Sequence, residues 1–136
     1  MQMKKVLLSV LASFLICSSA LASQEGVLAL QDFKIETRGI GESGPVIVTG
    51  KQDEKNQVTA LKVEAFGKAF ELKAADLEKI PKFPYNGIQL SFETGYKELG
   101  GRTIYVNLQF GFTSGNKQRV LITIPENAAI KVEPLK

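Results

Sequence analysis

The chain has 136 residues, with 17 Lys and Arg against 14 Asp and Glu, one cysteine, and no histidine or tryptophan. This length fits one domain. The nearly even charge balance lacks the basic surface that nucleic-acid binding requires. Without histidine there is no imidazole for a catalytic dyad or a zinc site.

The first 22 residues have the organisation of a cleavable secretory signal peptide. Two lysines precede an apolar segment over residues 6–16, and Ala20-Leu21-Ala22 supplies a small-x-small cleavage site. The apolar segment is shorter than the roughly 20 residues that cross a bilayer, so we expect no membrane span. We predict cleavage after Ala22, export to the periplasm or the medium, and a single β-rich domain over residues 23–136.

Cys17 raises the alternative of a lipid-anchored protein. Lipidation signals place a small residue directly before the cysteine and usually leucine three positions before it. This chain has Ile16 and Phe14 at those positions, so we expect Cys17 to be removed with the signal. The mature domain would then contain no cysteine and would depend on packing rather than disulfides.

The first part of the mature domain predicts two short strands, over residues 27–37 and 46–49. The loop between them, Gly39 to Gly44, matches the spacing G-x-G-x-x-G. A phosphate-binding loop of this kind leads into a helix, whereas this one leads into a strand. We therefore interpret it as a connection between strands.

A hairpin is predicted next, around Gly67-Lys68. These two residues suit a type II′ turn with glycine at the position of positive φ, which places Ala65 opposite Phe70. The same register places Glu64 opposite Glu71, an unfavourable pair of like charges. Burial of the apolar residues on the other face is expected to outweigh that cost.

The strongest alternation begins at residue 88, after one helical turn over residues 74–80 that Pro81 ends. It predicts an antiparallel meander over residues 88–94, 103–112 and 118–124, with Leu90 opposite Val106 and Phe110 opposite Val120. The predicted inward residues are all even-numbered: Ile88, Leu90, Phe92, Ile104, Val106, Leu108, Phe110, Phe112, Val120, Ile122 and Ile124. A last strand is expected near residues 130–132.

These elements predict an all-β domain with one short helical turn. About seven or eight short antiparallel strands are typical of a small β-sandwich or a closed β-barrel. The period-2 pattern is common to both architectures, so the sequence leaves the choice between them open.

The candidate binding residues lie in the loop over residues 95–102 and on the odd-numbered face of the strand that follows. Loops on a rigid scaffold concentrate binding residues, and tyrosine and arginine are enriched at protein interfaces. The alternative is that the loop only forms a turn and the odd face is only hydrated. The predicted binding residues are Tyr96, Lys97, Arg102, Tyr105 and Asn107.

Catalysis is not expected, because the mature domain lacks histidine and cysteine. Three close pairs of acids remain, Asp32 with Glu36, Asp53 with Glu54, and Asp76 with Glu78. Each pair lies in a charged context that is typical of a solvated surface. We expect no metal site and no cofactor.

Three functions are compatible with these observations. The first is an exported, non-catalytic binding module that contacts another protein, as an inhibitor, immunity or assembly factor does. The second is a carrier of small apolar ligands with an internal cavity. The third, disfavoured by the missing histidine and tryptophan, is a hydrolase that acts on cell-wall or sugar substrates through carboxylates.

Overall fold

The computed structural model describes residues 28–39, 41, 44–94, 101–111 and 118–135. The predicted signal peptide lies outside these residues. The elements are β1 (Asp32–Glu36), β2 (Ile47–Gln52), β3 (Val58–Ala65), β4 (Lys68–Glu71), α1 (Ala74–Leu77), β5 (Gly87–Glu93), β6 (Thr103–Phe110), β7 (Gln118–Pro125) and β8 (Lys131–Leu135). Among the described residues, no helix is long and apolar enough to cross a membrane.

The strands form two four-stranded antiparallel sheets, with the orders β1-β2-β3-β4 and β5-β6-β7-β8. The all-β prediction is confirmed, and of the two predicted architectures the structure is the sandwich rather than the closed barrel. Each sheet is a meander, because strands that are consecutive in the chain are antiparallel neighbours in the sheet. We call β1–β4 the first sheet and β5–β8 the second sheet.

The core lies between the two sheets. Alternation along each strand directs β-branched and leucine side chains inward, and burial of each such side chain stabilises the fold by about 1.5–3 kcal/mol. The largest fully buried side chains, each at most 2% exposed, are Ile80, Ile104, Leu108, Ile122, Ile124, Val48, Val58, Val63, Val106 and Val120. The even-numbered positions of β6 and β7 thus form the inward face, as predicted.

The hairpin between β3 and β4 differs from the prediction in its turn and register. Its two turn residues are Phe66 and Gly67, both with positive φ, 57° and 69°, as in a type I′ turn. Ala65 therefore lies opposite Lys68 instead of Phe70. The predicted register was wrong by two residues, and the observed one replaces the Glu64–Glu71 pair with Lys62 opposite Glu71.

The second sheet confirms one predicted register and corrects another. Leu90 lies opposite Val106, as predicted. Phe110 lies opposite Gln118 instead of Val120. A shift of two residues leaves every inward side chain on the inward face, so the alternation does not distinguish the two registers. Phe112 lies outside the described residues.

The connection from β4 to β5 carries the chain from one sheet to the other. After α1, Ile80 and Tyr85 are buried, each 2% exposed. The Tyr85 hydroxyl donates a 2.7 Å hydrogen bond to the carbonyl of Pro81, and burial raises the pKa of Tyr85 to about 12. The Leu30 amide donates to the Tyr85 carbonyl at 2.8 Å, so this connection also holds the segment that precedes β1.

Candidate functional site

The two sheets present chemically different faces to the outside. The outward face of the first sheet is rich in charges of both signs, and Lys62 and Glu64 form an ion pair there at 2.8 Å. The middle of the outward face of the second sheet carries amides, hydroxyls, one phenol and one leucine, from Gln89, Ser91, Tyr105, Asn107, Gln109, Leu121 and Thr123. The charged residues of this face surround that middle: Glu93, Arg119, Lys131 and Glu133. A centre that is poor in charge and contains tyrosine resembles the middle of protein interfaces.

Tyr105 lies on this outward face, as the odd-numbered pattern predicted. Its hydroxyl donates a 2.6 Å hydrogen bond to the Glu93 carboxylate. That hydrogen bond, with a smaller contribution from burial, raises the pKa of Tyr105 above its ordinary value. The two side chains therefore orient each other across neighbouring strands.

A depression of about 410 Å³ adjoins Tyr105. Pro125 and Ala128 form an apolar part of its wall, and the charged residues Glu93 and Lys131 also line it. This volume lies within the range of about 300–1,000 Å³ that is usual for ligand pockets. The depression therefore has room for one large side chain of a bound protein.

Asn107 lies one position further along the outward face of β6, between Gln89 and Leu121 on the neighbouring strands. Its side-chain oxygen is buried and accepts no hydrogen bond from the described residues. An unsatisfied buried acceptor costs about 1–3 kcal/mol. If the amide turned outward, an N–H donor from a bound partner would remove that cost.

Arg102 lies at a different place and makes internal contacts. Its guanidinium donates two hydrogen bonds to the Glu126 carboxylate, Nε to Oε2 at 2.9 Å and Nη2 to Oε1 at 2.7 Å. The guanidinium carbon also lies 4.4 Å from the centre of the Phe66 ring, within the range of a cation–π interaction. Arg102 therefore ties the start of β6 to the β3–β4 and β7–β8 turns.

The approach of the β7–β8 turn to Arg102 depends on Gly101. Gly101 has a φ of 80°, and a Cβ atom there would lie 3.1 Å from Nδ2 of Asn127. In the same region, Nζ of Lys68 lies 3.3 Å from Oδ1 of Asn127. This contact and those of Arg102 join one end of the first sheet to the second. We call Phe66, Arg102 and Glu126 the inter-sheet clasp.

Replacing Glu126 with glutamine should lower the thermal midpoint at neutral pH and have little effect in acid. The hydrogen bonds from Arg102 lower the pKa of Glu126 below its ordinary value of 4.5. The ionised carboxylate therefore stabilises the fold above the unfolded-state pKa, and this contribution is lost as pH falls through the lower folded-state pKa. Thermal unfolding followed by circular dichroism at neutral pH and at about pH 3 tests this.

Glu133→Gln is the control, because Glu133 is exposed on β8. It should change the midpoint little at either pH. If Glu126→Gln lowered the midpoint equally at both pH values, the carboxylate charge would not be what stabilises the clasp.

The other two predicted binding residues, Tyr96 and Lys97, lie outside the described residues. Two residues of the acidic pairs make structural contacts. Of the acidic pairs, Asp53 closes the β2–β3 turn by accepting two backbone N–H groups at 2.9 Å, and Asp76 forms an ion pair with Lys79 at 3.4 Å. In the part of the chain that the structure describes, no group of three His, Cys, Asp or Glu residues could hold a metal ion.

The fold and this surface define a small antiparallel β-sandwich in which the outward face of one sheet has a polar, charge-poor middle. No protein-family model matches the chain, and neither a curated protein nor a solved structure matches it. Its function must therefore be inferred from the surface itself.

Proposed function

We propose that this protein is an exported, non-catalytic binding module that contacts another protein through the outward face of its second sheet. The contact is centred on Tyr105 and Asn107. The observation that carries the proposal is the buried Asn107 oxygen, which has no partner among the described residues and lies in the charge-poor centre of that face. An inhibitor, immunity or assembly factor works through a contact of this kind.

The two central side chains have different parts in this contact. On binding, the Asn107 amide turns outward so that its oxygen becomes accessible and accepts a hydrogen bond from an N–H group of the partner, which relieves the desolvation cost of that oxygen. Tyr105 provides a large, rigid apolar surface with few rotatable bonds, a property of residues that dominate binding energy. Its hydrogen bond to Glu93 holds it in place before binding.

Export is part of the proposal and rests on the sequence. Residues 1–22 combine basic residues, an apolar segment and the Ala20-Leu21-Ala22 site, which is the organisation of a cleaved signal peptide. The partner is then another protein of the periplasm or the extracellular medium.

The second candidate, a carrier of small apolar ligands, would need space between the sheets. Ten large side chains that are at most 2% exposed fill the centre of that space. At one edge, a cleft between Val46 and Leu90 measures about 210 Å³, below the usual range of about 300–1,000 Å³. Contact with a protein is therefore the better supported function.

A photo-crosslinking amino acid at Tyr105 should capture a specific exported protein in the living cell, whereas the same amino acid at Thr49 should not. Thr49 lies on the outward face of the first sheet, between Lys34 and Lys62, so it is a control for nonspecific crosslinking. The captured protein is identified by mass spectrometry and then purified for measurements of affinity.

With that purified partner, Tyr105→Ala and Asn107→Ala should each weaken binding by more than about 1 kcal/mol, or about fivefold. Thr49→Ala should leave the dissociation constant unchanged. The proposal is wrong if the adduct forms from position 49 alone, or if both substitutions in the second sheet leave the affinity intact.

A further inference from the structure

The sheet edges differ in how well they are protected. Within the described residues, β1 and β4 are the edges of the first sheet, and β5 and β8 are the edges of the second. An edge strand leaves alternate backbone N–H and C=O groups free to pair with another chain. Natural proteins prevent such pairing with short edge strands, lysine, proline, other charges or bulges.

Three of the four edges carry such protection. β4 has four residues and begins with Lys68. β8 contains Pro134, which has no N–H group to donate. β1 has alternating charges on its outward side, with Lys34 at its centre.

β5 has only one of these devices, the charge of Glu93 at its end. Its seven residues, GIQLSFE, include no lysine, arginine or proline, and its pairing with β6 runs from Gly87 to Glu93 without a shift in register. The inward side chains Ile88, Leu90 and Phe92 are only partly buried, unlike those of the central strands. The 210 Å³ cleft separates Leu90 and Phe92 from Thr37 and Val46, which adjoin β1 and β2 of the first sheet. Among the described residues, only β6 forms backbone hydrogen bonds with this stretch of β5.

We propose that β5 is a dimerisation edge, at which the β5 strands of two copies of this chain pair antiparallel about a twofold axis at Leu90. The two second sheets then join into one continuous sheet across the axis. Pairing satisfies the free backbone groups of both strands and covers the partly exposed apolar side chains. It goes beyond the proposed function, because it uses the edge and leaves Tyr105 and Asn107 on the outward face.

The register about Leu90 is self-complementary. Ile88 lies opposite Phe92 of the second copy, a favourable pairing of an aromatic and a β-branched residue. Gln89 lies opposite Ser91 of the second copy, and Glu93 lies opposite Gly87 of the second copy. No two like charges face each other directly.

The equivalent antiparallel pairing of two β1 strands is unfavourable. Pairing two β1 strands about their central residue would place Lys34 opposite Lys34 of the second copy. It would also place Asp32 opposite Glu36 of the second copy. Like charges directly opposite each other destabilise a strand pair, so pairing about the central residue is unfavourable for β1 and favourable for β5.

Sedimentation velocity of the purified full protein, over a range of concentrations, tests the proposal. The wild-type protein should sediment as a dimer in equilibrium with the monomer. The double variant Gln89→Lys with Ser91→Lys places lysine opposite lysine twice across the axis, and its dimer dissociation constant should rise by about tenfold or more. Both side chains are exposed, so the unfolding midpoint should stay close to that of the wild type.

The matched control changes the same two positions with the opposite expected result. Gln89→Lys with Ser91→Glu places lysine opposite glutamate twice, so this variant should dimerise as tightly as the wild type or more tightly. A wild-type protein that stays monomeric at millimolar concentration would overturn the proposal. Equal dissociation constants for the two double variants would also overturn it, since a dimer formed elsewhere is insensitive to the sign of the charge at position 91.

Discussion

Replacing Leu108 with alanine is expected to lower the free energy of unfolding by about 2–4 kcal/mol. Leu108 is 2% exposed and points from β6 into the space between the sheets. Truncation removes apolar contacts and leaves a cavity that the rigid central strands cannot close. Ile122, on the neighbouring strand β7 and 0% exposed, should behave in the same way. Urea unfolding followed by circular dichroism measures both losses.

Asn107→Ala is the matched control for these two variants. It changes the adjacent residue of β6, which points to the outward face, and it removes an acceptor that has no partner among the described residues. The loss of stability should therefore be much smaller than for Leu108→Ala. Equal losses for all three variants would contradict the assignment of inward and outward faces.

The alternation of residue types predicted the faces of the strands, but of the three predicted registers only Leu90 opposite Val106 was correct. A strand repeats every two residues, so a register that slips by two keeps the same side chains inward. This is what happened at Phe110, which pairs with Gln118, and at Ala65, which pairs with Lys68. In the hairpin, Phe66 adopts a positive φ of 57°, which is uncommon for a bulky residue, and the sequence therefore favoured a turn that began at glycine.

The candidate site was predictable to the extent that it depends on a single strand. Tyr105 and Asn107 share the odd-numbered face of β6, which the alternation identifies. The contacts of Arg102 depend on Glu126, which is 24 residues away and is brought near only when the β7–β8 turn folds over the start of β6. No local pattern signals such a pair.

Gln52 was also missed, and it is one of two buried polar residues among the described ones. A polar residue at the end of a strand ordinarily predicts a solvated position. Here the register shifts between Lys51 and Gln52, and such a bulge re-aims a side chain. Gln52 is consequently 2% exposed, and its amide bonds to backbone groups far away in the sequence.

Replacing Gln52 with leucine is expected to lower the free energy of unfolding by about 1–2 kcal/mol, although leucine is more apolar and similar in size. The Gln52 Nε2 donates to the Leu30 carbonyl at 2.8 Å, and its Oε1 accepts from the Tyr85 amide at 3.3 Å. Leucine would leave the Leu30 carbonyl without this donor, whereas the Tyr85 amide would keep its 2.7 Å hydrogen bond to the Phe83 carbonyl. One unsatisfied buried group costs about 1–3 kcal/mol, which outweighs the added hydrophobic burial.

The effect of Gln52→Leu should appear in both global and local measurements. Chemical unfolding gives the loss of stability, and amide hydrogen exchange should speed up at Tyr85, in the connection between the sheets. Gln118→Leu is the control, because it makes the same chemical change at an exposed position of β7 and should alter stability by less than about 0.5 kcal/mol. If Gln52→Leu matched this control in stability and in exchange at Tyr85, the two hydrogen bonds of Gln52 would not hold the connection in place.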